Sequence, residues 1–190
     1  MELLEKRILA EGRVLPGGIL KVDNFLNHQI DTQLLHEMAK ELHRLFGGEG
    51  VNKILTIEAS GIAIAAVTGC VFGCPIVFAK KSKTKNLSDD LWRAEVESFT
   101  HGNTNTVVVS KSYLGPDDRV LIVDDFLATG AALFGLKRLC EQAGATVVGA
   151  GIAIEKVFQG GGDALRAAGL RVESLARIAS MSDDSLEFCR

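Results

Sequence analysis

The chain has 190 residues; 47% of them are hydrophobic, 24% are charged, and the formal net charge is −3. This length is typical of one domain with a sizeable core, and the composition excludes wholesale disorder. The acidic balance argues against a generally basic nucleic-acid binder. We therefore expect a single domain over residues 1–190 that has no nucleic-acid partner.

The N-terminal quarter of the chain predicts two helices separated by an irregular segment. The first helix spans Glu2–Glu11 and ends at Gly12. Residues 13–27 contain a proline, two glycines and scattered apolar residues, so we expect them to be largely irregular. Asp31 is a good N-cap for a second helix, whose leucines and methionine recur at helical spacing until two consecutive glycines end it.

From residue 53 onward, short β-branched runs alternate with helix-length segments. The predicted strands are residues 53–57, 76–79, 94–99, 106–109, 120–123, 146–154 and 171–178. The predicted helices are residues 61–72, 131–143 and 163–168. Such alternation is typical of an α/β domain with a parallel sheet that is apolar on both faces. Ligands of such sheets bind outside the carboxyl ends of the strands.

One stretch, residues 59–79, is uncharged over 21 residues, which is long enough to span a bilayer. A break at Gly73-Cys74-Pro75 divides it into a helix-length and a strand-length piece, and the N-terminus lacks the apolar run of a signal peptide. We therefore expect no membrane partner and interpret the cysteines as reduced, mostly buried thiols. These cysteines are Cys70, Cys74, Cys140 and Cys189.

The most informative segment is residues 120–132, VLIVDDFLATGAA. A buried strand leads to Asp124 and Asp125, and a loop of small residues then opens a helix. Backbone N–H groups of such a loop, together with the positive end of the helix dipole, favour an anion. The two carboxylates repel phosphate but suit sugar hydroxyls, or Mg²⁺ held through water. The segment therefore predicts a site for a sugar phosphate.

Two adjacent aspartates after a strand are also common in a plain turn with a helix cap. The prediction of a sugar-phosphate site therefore depends on the whole segment, residues 120–132. The sequence contains no GxxxxGK[ST] nucleotide-binding loop. Gly149-Ala150-Gly151 does not continue into a dinucleotide-binding fingerprint, because Ile154 occupies the position of the third glycine.

The whole string resembles the phosphoribosyl diphosphate (PRPP) motif of type I phosphoribosyltransferases. Further segments are similar to the bacterial xanthine phosphoribosyltransferases of that family, in the same order along nearly the whole chain. These segments are residues 15–31, 56–63, 77–81, 151–156 and 171–178. The resemblance implies the type I phosphoribosyltransferase fold. That fold has a central, mostly parallel sheet flanked by helices, and a small hood built largely from the N-terminal segment, residues 1–30.

The resemblance also assigns residues to PRPP. The loop that would cradle the 5′-phosphate, here called the phosphate loop, consists of Ala128, Thr129, Gly130, Ala131 and Ala132. Asp124 and Asp125 would hold the ribose hydroxyls as catalytic residues. The pyrophosphate loop would consist of Glu58, Ala59, Ser60 and Gly61. Lys80 and Lys81 begin a lysine-rich segment that in this family can close over the phosphates.

The purine-binding residues implied by the resemblance are Leu20, Asn27, Lys156 and Phe158. Lys156 would contact the exocyclic oxygen of the purine. An ammonium donates hydrogen bonds but cannot accept them, so it favours a 6-oxo purine over adenine. Asn27 both donates and accepts, which suits the lactam edge of xanthine, and Phe158 would cover the base.

The reaction implied is transfer of the 5-phosphoribosyl group from PRPP to N9 of xanthine, giving xanthosine 5′-monophosphate and pyrophosphate in purine salvage. The implied cofactor is Mg²⁺, held mainly by PRPP, pyrophosphate and water with no direct protein ligand. The enzyme is expected to be a cytoplasmic homodimer. Two alternatives stay open: a guanine or hypoxanthine phosphoribosyltransferase, which usually carries a carboxylate where Ala128 stands, and a non-catalytic PRPP-binding regulator.

Overall fold

A computed structural model describes residues 1–82, 90–97 and 104–190. Most of the predicted lysine-rich segment, residues 83–89, lies outside the described residues. The same is true of residues 98–103, which contain the predicted turn between two strands.

The described residues form five α-helices and ten strands. The helices are α1 (Glu2–Glu11), α2 (Thr32–Phe46), α3 (Gly61–Phe72), α4 (Ala131–Ala143) and α5 (Gly161–Ala167). The first five strands are β1 (Arg13–Leu15), β2 (Ile19–Lys21), β3 (Lys53–Ile57), β4 (Ile76–Ser82) and β5 (Leu91–Glu97). The others are β6 (Thr104–Ser110), β7 (Arg119–Leu127), β8 (Thr146–Lys156), β9 (Val172–Met181) and β10 (Leu186–Phe188).

Eight strands form one sheet in the order β10-β9-β8-β7-β3-β4-β6-β5. The five central strands, from β9 to β4, pair in parallel. Strands β10, β6 and β5 join antiparallel at the two sides. The prediction of a mostly parallel sheet flanked by helices is confirmed.

The apolar runs of the central strands are explained by burial on both faces of the sheet. Along β7, Leu121 and Val123 pack into one apolar cluster with α1, α2 and α3. Val120 and Ile122 pack into a second cluster with α4 and the β5–β6 hairpin. Successive side chains of a strand point to opposite faces, so a strand covered on both faces is apolar at every position.

The helix boundaries agree closely with the sequence patterns. Helices α1, α3 and α4 have the predicted bounds. The Asp31 side chain caps α2 by accepting hydrogen bonds from the amides of Gln33 and Leu34 at 3.1 and 3.0 Å. The uncharged run is α3 followed by β4, and no helix in the described part of the chain is long and apolar enough to cross a membrane.

The structure differs from the predicted fold at several points. Residues 13–27 are not largely irregular, because β1 and β2 form a hairpin and Asp23–Asn27 form a π-helical turn. Strand β7 continues to Leu127, so the two aspartates lie within the strand rather than where it leaves the sheet. Strand β10 was not predicted. The prediction of mostly buried cysteines was wrong: Cys140 is buried, Cys74 and Cys189 are partly buried, and Cys70 is exposed.

The N-terminal segment is anchored by its apolar residues. Leu20, Val22 and Phe25 are buried together with Leu4 and Ile8 of α1 in the first apolar cluster. This packing brings the β1–β2 hairpin against the carboxyl end of β8, where the Lys156 ammonium donates a hydrogen bond to the Gly18 carbonyl at 2.8 Å.

Candidate active site

A cleft of about 240 Å³ opens at the carboxyl ends of β3 and β7. It brings together both aspartates, the phosphate loop, part of the pyrophosphate loop and Lys81. These are segments that the sequence placed in one site. The other side chains at the cleft include Phe126, Val96 and Asn105.

The two aspartates form one wall of the cleft and are nearly buried. Asp124 is 4% exposed and Asp125 is 7% exposed, and the Asp125 amide donates a hydrogen bond to Asp124 Oδ1 at 3.1 Å. Burial raises the pKa of Asp124 well above its ordinary value, and the charge of Asp125 raises that pKa further. The nearby positive charge of Lys81 opposes this shift. A ligand that offers hydroxyl donors would favour the ionised form of this pair.

The phosphate loop connects β7 to α4, and the groups that it offers to a ligand are mainly backbone amides. Gly130 precedes the helix with φ +85°, a conformation that favours glycine, and its carbonyl accepts a hydrogen bond from the Phe134 amide at 2.9 Å. The first amides of a helix have no partner within it. The first turn of α4 carries no acidic side chain to compensate its positive end. The loop is therefore suited to an anion.

The pyrophosphate loop lies between β3 and α3. The Glu58–Ala59 peptide bond is cis, and the Glu58 carboxylate accepts a hydrogen bond from the Lys81 amide at 2.6 Å. Gly61 approaches the acid pair closely: a Cβ at that position would lie 2.1 Å from Thr56 Oγ1 and 2.9 Å from Asp124 Oδ1. Only a residue without a side chain fits between them.

The two lysines at the end of β4 differ in placement. Lys81 lines the cleft, whereas the Lys80 ammonium lies 5.8 Å from the centre of the Phe78 ring. Neighbouring residues of a strand point to opposite faces, so this difference follows from the strand geometry.

None of the four predicted purine-binding residues lines the cleft. Lys156 is half-buried, its ammonium is 5.5 Å from the centre of the Phe126 ring, and burial lowers its pKa. Asn27 Oδ1 is buried without a hydrogen-bond partner. Leu20 packs in the core at 6% exposure, whereas Phe158 is 45% exposed.

Sequence reasoning missed several residues at the cleft, among them Phe126, Val96 and Asn105. Phe126 follows the aspartates directly, so its position inside the motif was an available signal. Asn105 lies opposite Val96 in the pair of strands β5 and β6. The local sequence does not predict that these two strands reach the cleft.

Magnesium would need ligands beyond those that the described residues of the cleft offer. Among the described residues, no three carboxylate, imidazole or thiolate side chains are grouped as they would be to hold a metal ion. Asp124 and Asp125 offer adjacent oxygens, and oxygen ligands and water are what Mg²⁺ prefers. The remaining ligands would have to come from a substrate and water.

Comparison with known proteins identifies the family. The model of the phosphoribosyl transferase domain matches residues 21–160. The chain is 55% identical over 188 residues to the xanthine phosphoribosyltransferase of Finegoldia magna, covering 99% of each chain. It is 53% identical to that of Ruminiclostridium cellulolyticum, again covering 99% of each. The chain belongs to the xanthine phosphoribosyltransferase family.

The solved structures agree on the fold. Adenine phosphoribosyltransferase of Giardia lamblia, complexed with 9-deazaadenine, superimposes with a TM-score of 0.79 at 23% identity, covering 92% of this chain and 97% of that one. The predicted type I phosphoribosyltransferase fold is confirmed, and so is the enzyme class, a phosphoribosyltransferase.

Proposed function

We propose that the protein transfers the 5-phosphoribosyl group of PRPP to N9 of xanthine, giving xanthosine 5′-monophosphate and pyrophosphate in purine salvage. The observation that carries this proposal is the cleft itself. A buried acid pair and a helix-opening backbone loop lie side by side in it. The names of the relatives, which match the chain over nearly their full length, support xanthine as the acceptor.

PRPP would bind across the cleft in three contacts. Backbone amides of the phosphate loop and the N-terminus of α4 hold the 5′-phosphate. Asp124 and Asp125 accept hydrogen bonds from the ribose hydroxyls. The pyrophosphate loop and Lys81 face the pyrophosphoryl group, and Mg²⁺ bound to that group would neutralise part of its charge.

The reaction is a displacement at C1 of the ribose. N9 of xanthine forms the new bond to C1, the C1–oxygen bond breaks, and the pyrophosphate leaves with the electron pair while the purine loses a proton. Positive charge develops on the sugar ring, and the adjacent carboxylates stabilise it without forming a covalent bond. Catalysis then depends on positioning and electrostatics.

The purine would lie between the cleft and the hood. Lys156 stands at the end of β8, with Phe126 at its side and the hairpin turn above it. Its ammonium can exchange the Gly18 carbonyl for the exocyclic oxygen of xanthine. Asn27, whose buried oxygen lacks a partner in the described structure, can accept a hydrogen bond from a ring N–H. Phe158 is exposed and available to cover the base.

The experiment that tests this proposal measures PRPP- and Mg²⁺-dependent nucleotide formation with xanthine, guanine, hypoxanthine and adenine, compared by kcat/KM. A preference for xanthine is expected. A preference for another purine would retain the PRPP site and refute the assignment of the purine pocket. Tight PRPP binding without turnover on any base would favour the regulator.

The cellular setting is also part of the proposal. We expect one domain over residues 1–190, with residues 1–30 contributing the hood, in a cytoplasmic homodimer. Light scattering of the purified chain measures the oligomer directly, and a monomer at micromolar concentration would contradict the dimer.

A further inference from the structure

The phosphate loop is backed by a second segment that the assigned site does not include. Gly161, the first residue of α5, donates its amide hydrogen to the Ala128 carbonyl at 3.1 Å. A Cβ on Gly161 would lie 2.3 Å from that carbonyl oxygen and 2.5 Å from the Gly130 nitrogen. Backbone therefore packs directly on backbone, and the shape of the loop depends on where the start of α5 is held.

The start of α5 is held in turn by a buried ion pair. Next to Gly161, a Cβ on Gly162 would lie 1.8 Å from Glu155 Oε1. Arg166, one turn further along α5, donates two parallel hydrogen bonds to the Glu155 carboxylate, each 2.8 Å long. The Glu155 side chain is 1% exposed, and Arg177 adds a second cation at 3.4 Å.

Glu155 is ionised in this arrangement. Burial alone would raise its pKa, but the hydrogen bonds from Arg166 and the positive charges of Arg166 and Arg177 outweigh that effect and lower the pKa. Two parallel hydrogen bonds between a guanidinium and a carboxylate fix orientation as well as distance. Glu155 also pairs in register with Leu127, the residue before the phosphate loop.

We propose that the Glu155–Arg166 ion pair is a positioning device for the phosphate loop. The pair fixes α5 relative to the end of β8, and the two glycines transmit that position to the loop through backbone contact. Neither side chain lines the cleft, so both act through the loop. This inference rests on the proposed function, which assigns the 5′-phosphate to that loop.

The proposal predicts an effect on one ligand group only. In Arg166→Met, the Kd for ribose 5-phosphate should rise about 10- to 100-fold, because small displacements of a binding group weaken it strongly. The Kd for pyrophosphate, which is assigned to the other loop, should stay within about twofold of the unaltered protein. Arg166→Lys, which retains the charge but loses the parallel geometry, should lie between.

Titration calorimetry of the full chain with each ligand gives both constants. The control is Arg171→Met. Arg171 precedes the first residue of β9 and forms its ion pairs with Glu49 and Glu173, whereas Arg177 lies further along that strand. The control substitution should change neither Kd. Equal weakening of both ligands in Arg166→Met, or no change in either, would overturn the positioning role.

A glycine variant decides the matter if Arg166→Met does not fold. Gly161→Ala should weaken ribose 5-phosphate selectively, whereas Gly115→Ala, where a Cβ meets nothing within 4 Å, should not. Unchanged ribose 5-phosphate binding in Gly161→Ala would overturn the proposal. If the unaltered protein binds pyrophosphate but not ribose 5-phosphate, the assignment of the phosphate loop fails, and the positioning role fails with it.

Discussion

The two halves of the candidate site are built differently. The part of the PRPP half assigned to the ribose and its 5′-phosphate consists of consecutive residues, Asp124 to Ala132, which lie at the end of β7 and the start of α4. The purine half is assembled from segments far apart in the chain, and one hydrogen bond joins Lys156 to Gly18 across 138 positions. On the proposed assignment, a purine bound in the second half would have to replace the hydrogen bond that Lys156 makes to the Gly18 carbonyl.

The largest expected effect is on the PRPP half. Replacing both aspartates, Asp124→Asn and Asp125→Asn, should lower kcat by about 10²- to 10⁴-fold, because the developing charge on the ribose loses its carboxylates. The circular dichroism spectrum should be unchanged. Steady-state kinetics with PRPP and xanthine measure the loss.

The matched control is Asp183→Asn, at an exposed aspartate outside the cleft. It should retain full activity. Near-normal turnover in the double variant would show that the ribose is held elsewhere.

The next effect concerns the contact between Gly61 and the acid pair. Gly61→Ala places a Cβ 2.1 Å from Thr56 Oγ1 and 2.9 Å from Asp124 Oδ1, so α3 or the carboxylate must move. We expect kcat/KM for PRPP to fall about 10- to 100-fold. Gly48→Ala, where the added methyl meets nothing within 4 Å, should behave like the unaltered protein. A Gly61→Ala enzyme with unchanged kcat/KM would mean that this spacing does not matter for catalysis.

In the purine half, Lys156→Ala should raise the KM for xanthine about 10- to 100-fold. This factor corresponds to the free energy lost when a hydrogen bond from a charged donor is removed. The KM for PRPP should change far less. Initial rates with each substrate varied in turn separate the two constants, and Lys40→Ala on the exposed face of α2 is the control. Equal increases in both constants would contradict a role specific to the base, and with it the division of the site into two halves.

The smallest effect is on stability. The pKa of Asp124 is raised in the folded protein, so the folded state binds more protons than the unfolded state above pH 3.8. Stability therefore falls as the pH rises through this range, and Asp124→Asn removes that loss. At pH 8 the melting temperature of the variant should exceed that of the unaltered protein. The increase should be about 2 to 4 °C for each 1 kcal/mol gained in the free energy of unfolding.

At pH 4, close to the ordinary pKa of the group, the difference in melting temperature should be smaller, because the loss of stability accumulates only as the pH rises above that value. Differential scanning calorimetry at the two pH values measures it. A difference that does not grow with pH would show that Asp124 carries no electrostatic cost in the fold.

The grouping of the acid pair with the phosphate loop in one cleft could be predicted because these residues are consecutive in the sequence. A buried strand, an acid pair, small residues and a helix follow one another, and each has its own pattern in residues 120–132. Helix boundaries were equally accessible through Asp31 and the glycines that end α2 and α4.

The hood and the support of the phosphate loop could not be predicted in the same way. Gly17 and Gly18 adopt positive φ angles of 83° and 72° between β1 and β2. Two consecutive glycines are typical of a hairpin turn, but the flanking strands are too short and too exposed to show a clear strand pattern. The Glu155–Arg166 pair has no local signature, because eleven positions separate its members. It becomes visible only when β8 and α5 are packed together.

The unpredicted strand β10 bears on how two copies of the chain can meet. It pairs with the last part of β9, at Ile178, Ser180 and Met181, and the Cys189 amide donates a hydrogen bond to the Arg177 carbonyl next to them. A short edge strand offers few unpaired groups to another chain. At the opposite edge, β5 carries the exposed charged residues Arg93 and Glu95, which also discourage strand pairing. Both edges of the sheet therefore disfavour pairing with a strand of another chain, so we expect fibrous association by sheet extension to be suppressed.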